Sequence, residues 1–130
     1  MVRKNISSGS PYEKPIGFSR AVRIGNRIAV AGTGPIASDG TTACPADPYG
    51  QARRCLEIIQ NAIEKAGGLL SDVIRTRMYI TDMSRWQEIT KAHGEFFGEI
   101  LPASTLIEVK GLADPDWFVE MEAECEVSNE

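Results

Sequence analysis

The chain has one histidine, three cysteines at wide spacing, no long apolar run and no excess of positive charge. Each shortage removes a class of protein. His93 has no second imidazole to share a metal with, and no cysteine lies near it in sequence. Cys44, Cys55 and Cys125 are odd in number and form no short-spaced pair. They read as reduced thiols, neither a disulfide framework nor a zinc site. No stretch approaches the roughly 18 apolar residues of a membrane span, and MVRKNISSGSPYEKP lacks the apolar centre of a signal peptide. These features point to a cytoplasmic protein with no membrane partner. A net charge of -4 leaves no basic field to attract nucleic acid. Two further signatures are missing. No Lys-Ser or Lys-Thr follows Gly32-Thr33-Gly34-Pro35 at phosphate-loop spacing, and no G-x-S-x-G nucleophile elbow occurs.

What is present is an ordinary globular composition, 42% hydrophobic and 25% charged over 130 residues. It fits one domain spanning 1–130, able to bury roughly two thirds of its unfolded surface. The most patterned stretch is the last strand pair, between Pro102 and Val127. From Ser104 to Lys110, Ser104, Leu106, Glu108 and Lys110 alternate with Thr105, Ile107 and Val109. From Trp117 to Val127, Val119, Met121, Ala123, Cys125 and Val127 alternate with Glu120, Glu122, Glu124 and Glu126. A period of two marks half-buried strands. Four carboxylates in a row call for cations or a ligand site opposite them. Gly111 to Asp116 reads as the loop between.

Upstream, Arg3 to Ser7 reads as a first strand and Ser8 to Pro15 as a turn-rich link. Phe18 to Ile24 and Arg27 to Gly32 form a hairpin at Gly25-Asn26, both of which tolerate positive φ. Phe18, Arg20, Val22 and Ile24 share a face, so Arg20 either snorkels at an edge or faces a polar cleft. Gly32, Thr33 and Gly34 let a backbone or ligand come close. Ser38 to Pro45 is a polar loop.

Asp47 and Pro48 suit the start of a helix that buries Ala52, Cys55, Leu56, Ile59, Ile63 and Ala66 and stops at Gly67-Gly68. Cys55 lies in that stripe and reads as core. Val73 to Thr81 is a strand with Ile74, Met78 and Ile80 on one face and Arg75, Arg77 and Tyr79 on the other. Those arginines are natural partners for the glutamate row, either as a structural ion-pair network or sharing a carboxylate ligand. A second helix starts at Ser84, with Gln87 as capping-box partner. Its stripe is Trp86, Ile89, His93, Phe96 and Phe97. His93 reads as a hydrogen-bonded structural residue, with acid-base work the second reading.

The order is strand, strand, strand, helix, strand, helix, strand, strand. It defines an α+β two-layer sandwich, one mixed sheet with two helices on one face. The opposite face carries Arg75, Arg77, Glu120, Glu122 and Glu124, too polar for those helices to cover. Association with cyclic symmetry would bury it.

The segments GFSRAVRIGNRIAVAGTGPI, QARRCLEIIQNAIEKAG, DVIRTRMYITD, PASTLIEVKGL and VEMEAE, in this order, resemble the YjgF/RidA (Rid) family, some of whose members carry the label L-PSP endoribonuclease. The resemblance covers nearly the whole chain. It implies a chorismate-mutase-like fold and a homotrimer with a central barrel, outer helices and ligand clefts between subunits. Family members of known activity hydrolyse imines and enamines such as 2-aminoacrylate, with no cofactor or metal. The resemblance implies Glu120 as the catalytic, water-handling residue. It puts the family's carboxylate-gripping arginine at Ser104, its cleft tyrosine at Phe18 and a helix asparagine near Thr90. This chain thus resembles a divergent member without that arginine. Arg20, on the face of Phe18, is placed by strand parity to supply the charge from a neighbouring subunit. The expected cleft comprises Phe18, Arg20, Gly32, Thr33, Thr90, His93, Ser104 and Leu106 around Glu120. Its ligand is a small molecule, in one version carboxylate-bearing. Three functions follow: a deaminase-type hydrolase of altered range, a non-catalytic metabolite-binding trimer, and, against the acidic charge, a ribonuclease or translation inhibitor.

Overall fold

The computed structural model describes residues 2–128. Six strands form one sheet: β1 (Arg3–Ile6), β2 (Ala21–Ile24), β3 (Arg27–Thr33), β4 (Val73–Ile80), β5 (Ala103–Glu108) and β6 (Val119–Glu126). Their order is β1-β2-β3-β6-β4-β5. Only β4 and β5 run parallel; the other neighbours are antiparallel. The last two strands are therefore not partners, because β4 lies between them. Helix α3 (Trp86–Phe97) supplies the crossover that a parallel β4–β5 connection needs. It packs beside α2 (Pro48–Lys65).

The helices cover the face that the alternation marks as apolar. On β6, Val119, Met121, Ala123 and Cys125 are buried while Glu120, Glu122 and Glu124 are half-buried. Ala52, Cys55, Leu56, Ile59 and Ile63 of α2 and Ile89, Ala92 and Phe97 of α3 complete the core. Asp47 caps α2 by accepting the Gly50 N–H at 3.1 Å. At the other end the Arg23 guanidinium donates to the Ala66 carbonyl at 2.9 Å. Among the described residues no helix is long and apolar enough to cross a membrane.

Five local expectations change. The first hairpin strand begins at Ala21, not Phe18, because Gly17 turns the chain with φ 92° and the Arg20 side chain enters the interior. At the hairpin, only Gly25 uses positive φ, at 59°. The link at Ser8–Pro15 contains a helical turn, α1 (Glu13–Ile16), built around the Glu13 carboxylate. Ile74 does not share the face of Met78 and Ile80. A bulge between Val73 and Arg75 turns Val73 inward and leaves Ile74 exposed. Ser84 does not cap the second helix. Asp82 accepts its N–H at 3.0 Å and hydroxyl at 2.6 Å, forming a 3-10 turn at Met83–Arg85, and Trp86 stays exposed.

Candidate functional site

On the sheet face away from the helices the glutamate row meets the arginines. Arg77 Nη1 lies 3.1 Å from both Glu122 and Glu124, Arg75 lies 3.6 Å from Glu124, and Arg27 reaches Glu124 at 3.3 Å. The Tyr79 hydroxyl donates to Glu122 at 2.8 Å. This is the structural network, strung across β3, β6 and β4. Glu120 stands apart from it. Its carboxylate fills the space beside Gly32, where a Cβ would collide with Oε1. Burial raises the Glu120 pKa above the ordinary carboxylate value, Arg20 pulls it down, and Glu122 pushes it up again, with a net rise.

Glu120 forms part of the lining of an open cleft of about 360 Å³. The N-terminal segment gives Ser10, Tyr12, Ile16, Phe18 and Arg20; the end of β3 and the turn after it give Ala31, Gly32, Gly34 and Ile36; Ala113 and Trp117 close the far side. Trp117 packs its six-membered ring on Gly34, where no side chain would fit, and meets Tyr12 edge to face at 5.7 Å. Trp117 is buried, and its indole Nε1–H has no hydrogen-bond partner among the described residues. Thr33 is buried one residue from the cleft and holds the bend of β3 by donating to the Ala31 carbonyl at 2.8 Å.

Arg20 is 2% exposed. Its Nε donates to Ser8 Oγ at 3.2 Å, and Nη1 donates to the Gly32 carbonyl at 2.6 Å and to Thr33 Oγ1 at 3.0 Å. The guanidinium also lies over the Phe18 ring, 5.3 Å from its centroid. Desolvation lowers its pKa, while the Glu13 and Glu120 carboxylates oppose that shift. Arg20 does not snorkel at an edge: its guanidinium is buried and hydrogen-bonded within its own chain, behind a cleft with largely apolar walls. It shares that cleft with Glu120 of its own chain. Glu13 anchors the segment: it accepts from Ser8 N at 3.0 Å, Ser8 Oγ at 2.7 Å and Ser10 N at 3.2 Å. Burial alone would raise the Glu13 pKa, but these hydrogen bonds outweigh it and hold the group below the ordinary value.

The remaining expected site residues gather elsewhere. Thr76 Oγ1 donates to Ser104 Oγ at 2.8 Å and lies 2.8 Å from His93 Nε2. Burial lowers the His93 pKa. Leu106 shares this side of β5 and packs on the core. Thr90, one turn before His93, donates its hydroxyl to the Trp86 carbonyl at 3.0 Å. Strand register puts Ser104 and Glu120 on opposite faces, two strands apart. One chain therefore brings Phe18, Arg20, Gly32 and Glu120 together and leaves Ser104, Leu106, Thr90 and His93 at its β5 edge.

Tyr12, Ile16 and Trp117 are cleft residues that sequence periodicity does not reveal, and neither does it reveal Glu13, which anchors the segment behind them. They lie outside regular strands, and the available signal was only two aromatics in Pro- and Asp-rich loops.

Fold and cleft together define a small α+β domain whose exposed concavity is walled by aromatic and aliphatic side chains and floored by an Arg–Glu pair, the form of a small-molecule site. The family model described as Endoribonuclease L-PSP matches residues 12–127. The chain belongs to that family, the YjgF/RidA proteins. It is similar to the RutC family protein PYRAB12510 of Pyrococcus abyssi, 37% identical over 111 residues covering 85% of this chain and 87% of that one. Among solved structures it is similar to Rv2704 of Mycobacterium tuberculosis, a member of the YjgF/YER057c/UK114 family. That structure has a TM-score of 0.87 and 43% identity and covers 97% of this chain and 100% of that one. It is also similar to E. coli TdcF with bound serine, with a TM-score of 0.79 and 26% identity over 95% and 94% of the two chains.

Proposed function

We propose that this chain is a deaminase-type hydrolase of an imine, enamine or related reactive intermediate, working in clefts shared between the subunits of a homotrimer. The observation that carries the reading is Glu120, a desolvated carboxylate on the floor of a ligand-sized cleft, with its pKa raised toward the range useful for proton transfer. In the proposed step Glu120 takes a proton from water as the oxygen attacks the imine carbon. The C=N π electrons move to nitrogen, which takes that proton from Glu120 and gives a carbinolamine. As the carbinolamine collapses, its O–H proton passes through Glu120 to nitrogen, the C–N bond breaks, and a carbonyl compound and ammonia result. Arg20 favours the ionised form of Glu120 against the effect of burial and donates to the Gly32 carbonyl.

The trimer is supported by the charged sheet face and by the separation of the two half-sites. Ser104 and Glu120 meet only if the β5 edge of one subunit reaches the cleft of the next. The relative TdcF, with serine bound, supports a small metabolite as ligand. The alternative reading, a binding protein without turnover, follows from the resemblance, which would put the uncharged Ser104 at the family's arginine position.

The test is release of carbonyl product from imines generated in situ by amino-acid and amine oxidases. Wild type should accelerate release, and Glu120→Gln should slow it by about 10²-fold or more while ligand affinity stays measurable. Silence of the wild type across a panel of side chains would sink the enzyme reading.

A further inference from the structure

The cation on the floor of the cleft is already engaged before any ligand enters. Arg20 is the one cation among the cleft's described lining residues. Its Nε and Nη1 are occupied by Ser8, Gly32 and Thr33, and it is 2% exposed. Two carboxylates, Glu13 and Glu120, lie close enough to stabilise its charge. Glu13 is held ionised by the hydrogen bonds from Ser8 and Ser10. A ligand carboxylate entering here would find the cation engaged and Glu120 facing it. Like charges in a partly desolvated site disfavour each other, so that contact is repulsive. An N–H group would instead meet the acceptor oxygens of Glu120, and a charged one would make a charge-assisted hydrogen bond.

The walls point the same way. Tyr12, Ile16, Phe18, Ile36 and Trp117 offer apolar and aromatic surface, which rewards a flat hydrophobic body. The edge strand β5, which reads ASTLIE, itself carries no Lys or Arg.

We propose that the cleft takes an apolar, ring-sized molecule that presents an amine, iminium or imine N–H to Glu120 and carries no carboxylate at that end. The proposal rests on the reading that this cleft is the site of reaction, and it departs from amino-acid-derived imines as substrates. The corresponding reactants are imines of the kind made by oxidising hydrophobic primary amines, whose hydrolysis yields an aldehyde or ketone and ammonia.

The experiment is calorimetry on the full chain with two unreactive probes of equal body, 2-phenylethylamine and 3-phenylpropionate. The amine should bind at least about tenfold more tightly, a difference of about 1.4 kcal/mol, and Glu120→Gln should erase the preference. Ala113→Lys, at an exposed position on the cleft wall, should shift the preference toward the carboxylate. That variant keeps the test informative if Glu120→Gln fails to fold. Equal or tighter binding of 3-phenylpropionate to wild type overturns the proposal, as does absence of binding by either probe at millimolar concentration. Selective binding of the amine with no hydrolysis of any imine upholds the ligand class and overturns the deaminase reading instead.

Discussion

Gly32 carries no side chain, and the Glu120 carboxylate occupies the room this leaves. Gly32→Ala should therefore displace Glu120 while keeping the sheet intact. Since a shift of about 1 Å in a catalytic group can cost about 10²-fold, turnover should fall by that order with little change in melting temperature. Unchanged kinetics would remove Glu120 from the mechanism. His93 makes a different prediction. Burial lowers its pKa below the ordinary 6.5, so the folded state favours the neutral ring. As pH falls below 6.5, the unfolded chain binds a proton that the folded chain resists. Stability should then decline from 6.5 down through the folded-state pKa. With Thr76 donating to Ser104, Nε2 is the atom that carries the ring proton toward Thr76. His93→Gln should flatten the decline in denaturant titrations taken across that window. A slope unaltered by the substitution would assign it to another group.

At the scale of elements, the turn between α3 and β5 holds a residue at odds with its backbone. Leu101 has φ 55°, is 78% exposed and donates its N–H to the Phe97 carbonyl at 2.8 Å. A leucine in the left-handed region costs roughly 1–2 kcal/mol, whereas asparagine visits it readily. Leu101→Asn should raise unfolding free energy by about 0.5–1 kcal/mol, read from the denaturation midpoint. No gain would mean that Leu101 makes a compensating contact in an assembly. A second element is tied to the cleft through a residue that the apolar stripe omits. Gln51, at the start of α2, is fully buried; its amide donates to the Asp116 carbonyl at 3.0 Å and accepts from Phe118 N–H at 2.8 Å. It fixes the loop that delivers Trp117. A buried glutamine on a helix reads as a surface residue until the loop that satisfies it is in place.

At the scale of the molecule, the three thiols report on the packing. Cys44 is exposed, while Cys55 and Cys125 are buried. Burial drives the Cys55 thiol far upward and the Cys125 thiol to about 12, so neither offers a thiolate near neutrality. A thiol reagent should modify Cys44 rapidly and reach the other two only on unfolding. Fast modification of all three would contradict the core described here. The charged ladder on the open sheet face adds little to a single chain, since half-exposed ion pairs contribute roughly 0–1 kcal/mol each.

The alternation on β6 and along most of β4 and the helical stripes of α2 and α3 are local patterns, and by themselves they determined the order of the main elements and the two-layer α+β class. Side-chain period follows from backbone geometry, so one chain segment suffices to express it. The sequence also singled out Glu120 through the family resemblance, Arg20 as a charge on the face of Phe18 and Val22, and Gly32 as a small residue at the end of a strand. Tertiary structure alone decided which of these meet. The insertion of β4 between β5 and β6 set Ser104 two strands from Glu120, strand register put the two on opposite faces, and the bulge at Val73/Arg75 turned Ile74 outward. Tyr12 and Trp117 entered the cleft through loops whose conformations rest on long-range hydrogen bonds and contacts, such as those of Ser8 with Arg20 and Gln51 with Asp116. Contacts of that separation have no periodic signature, because closing the loop, not repeating the residue, brings the partners together.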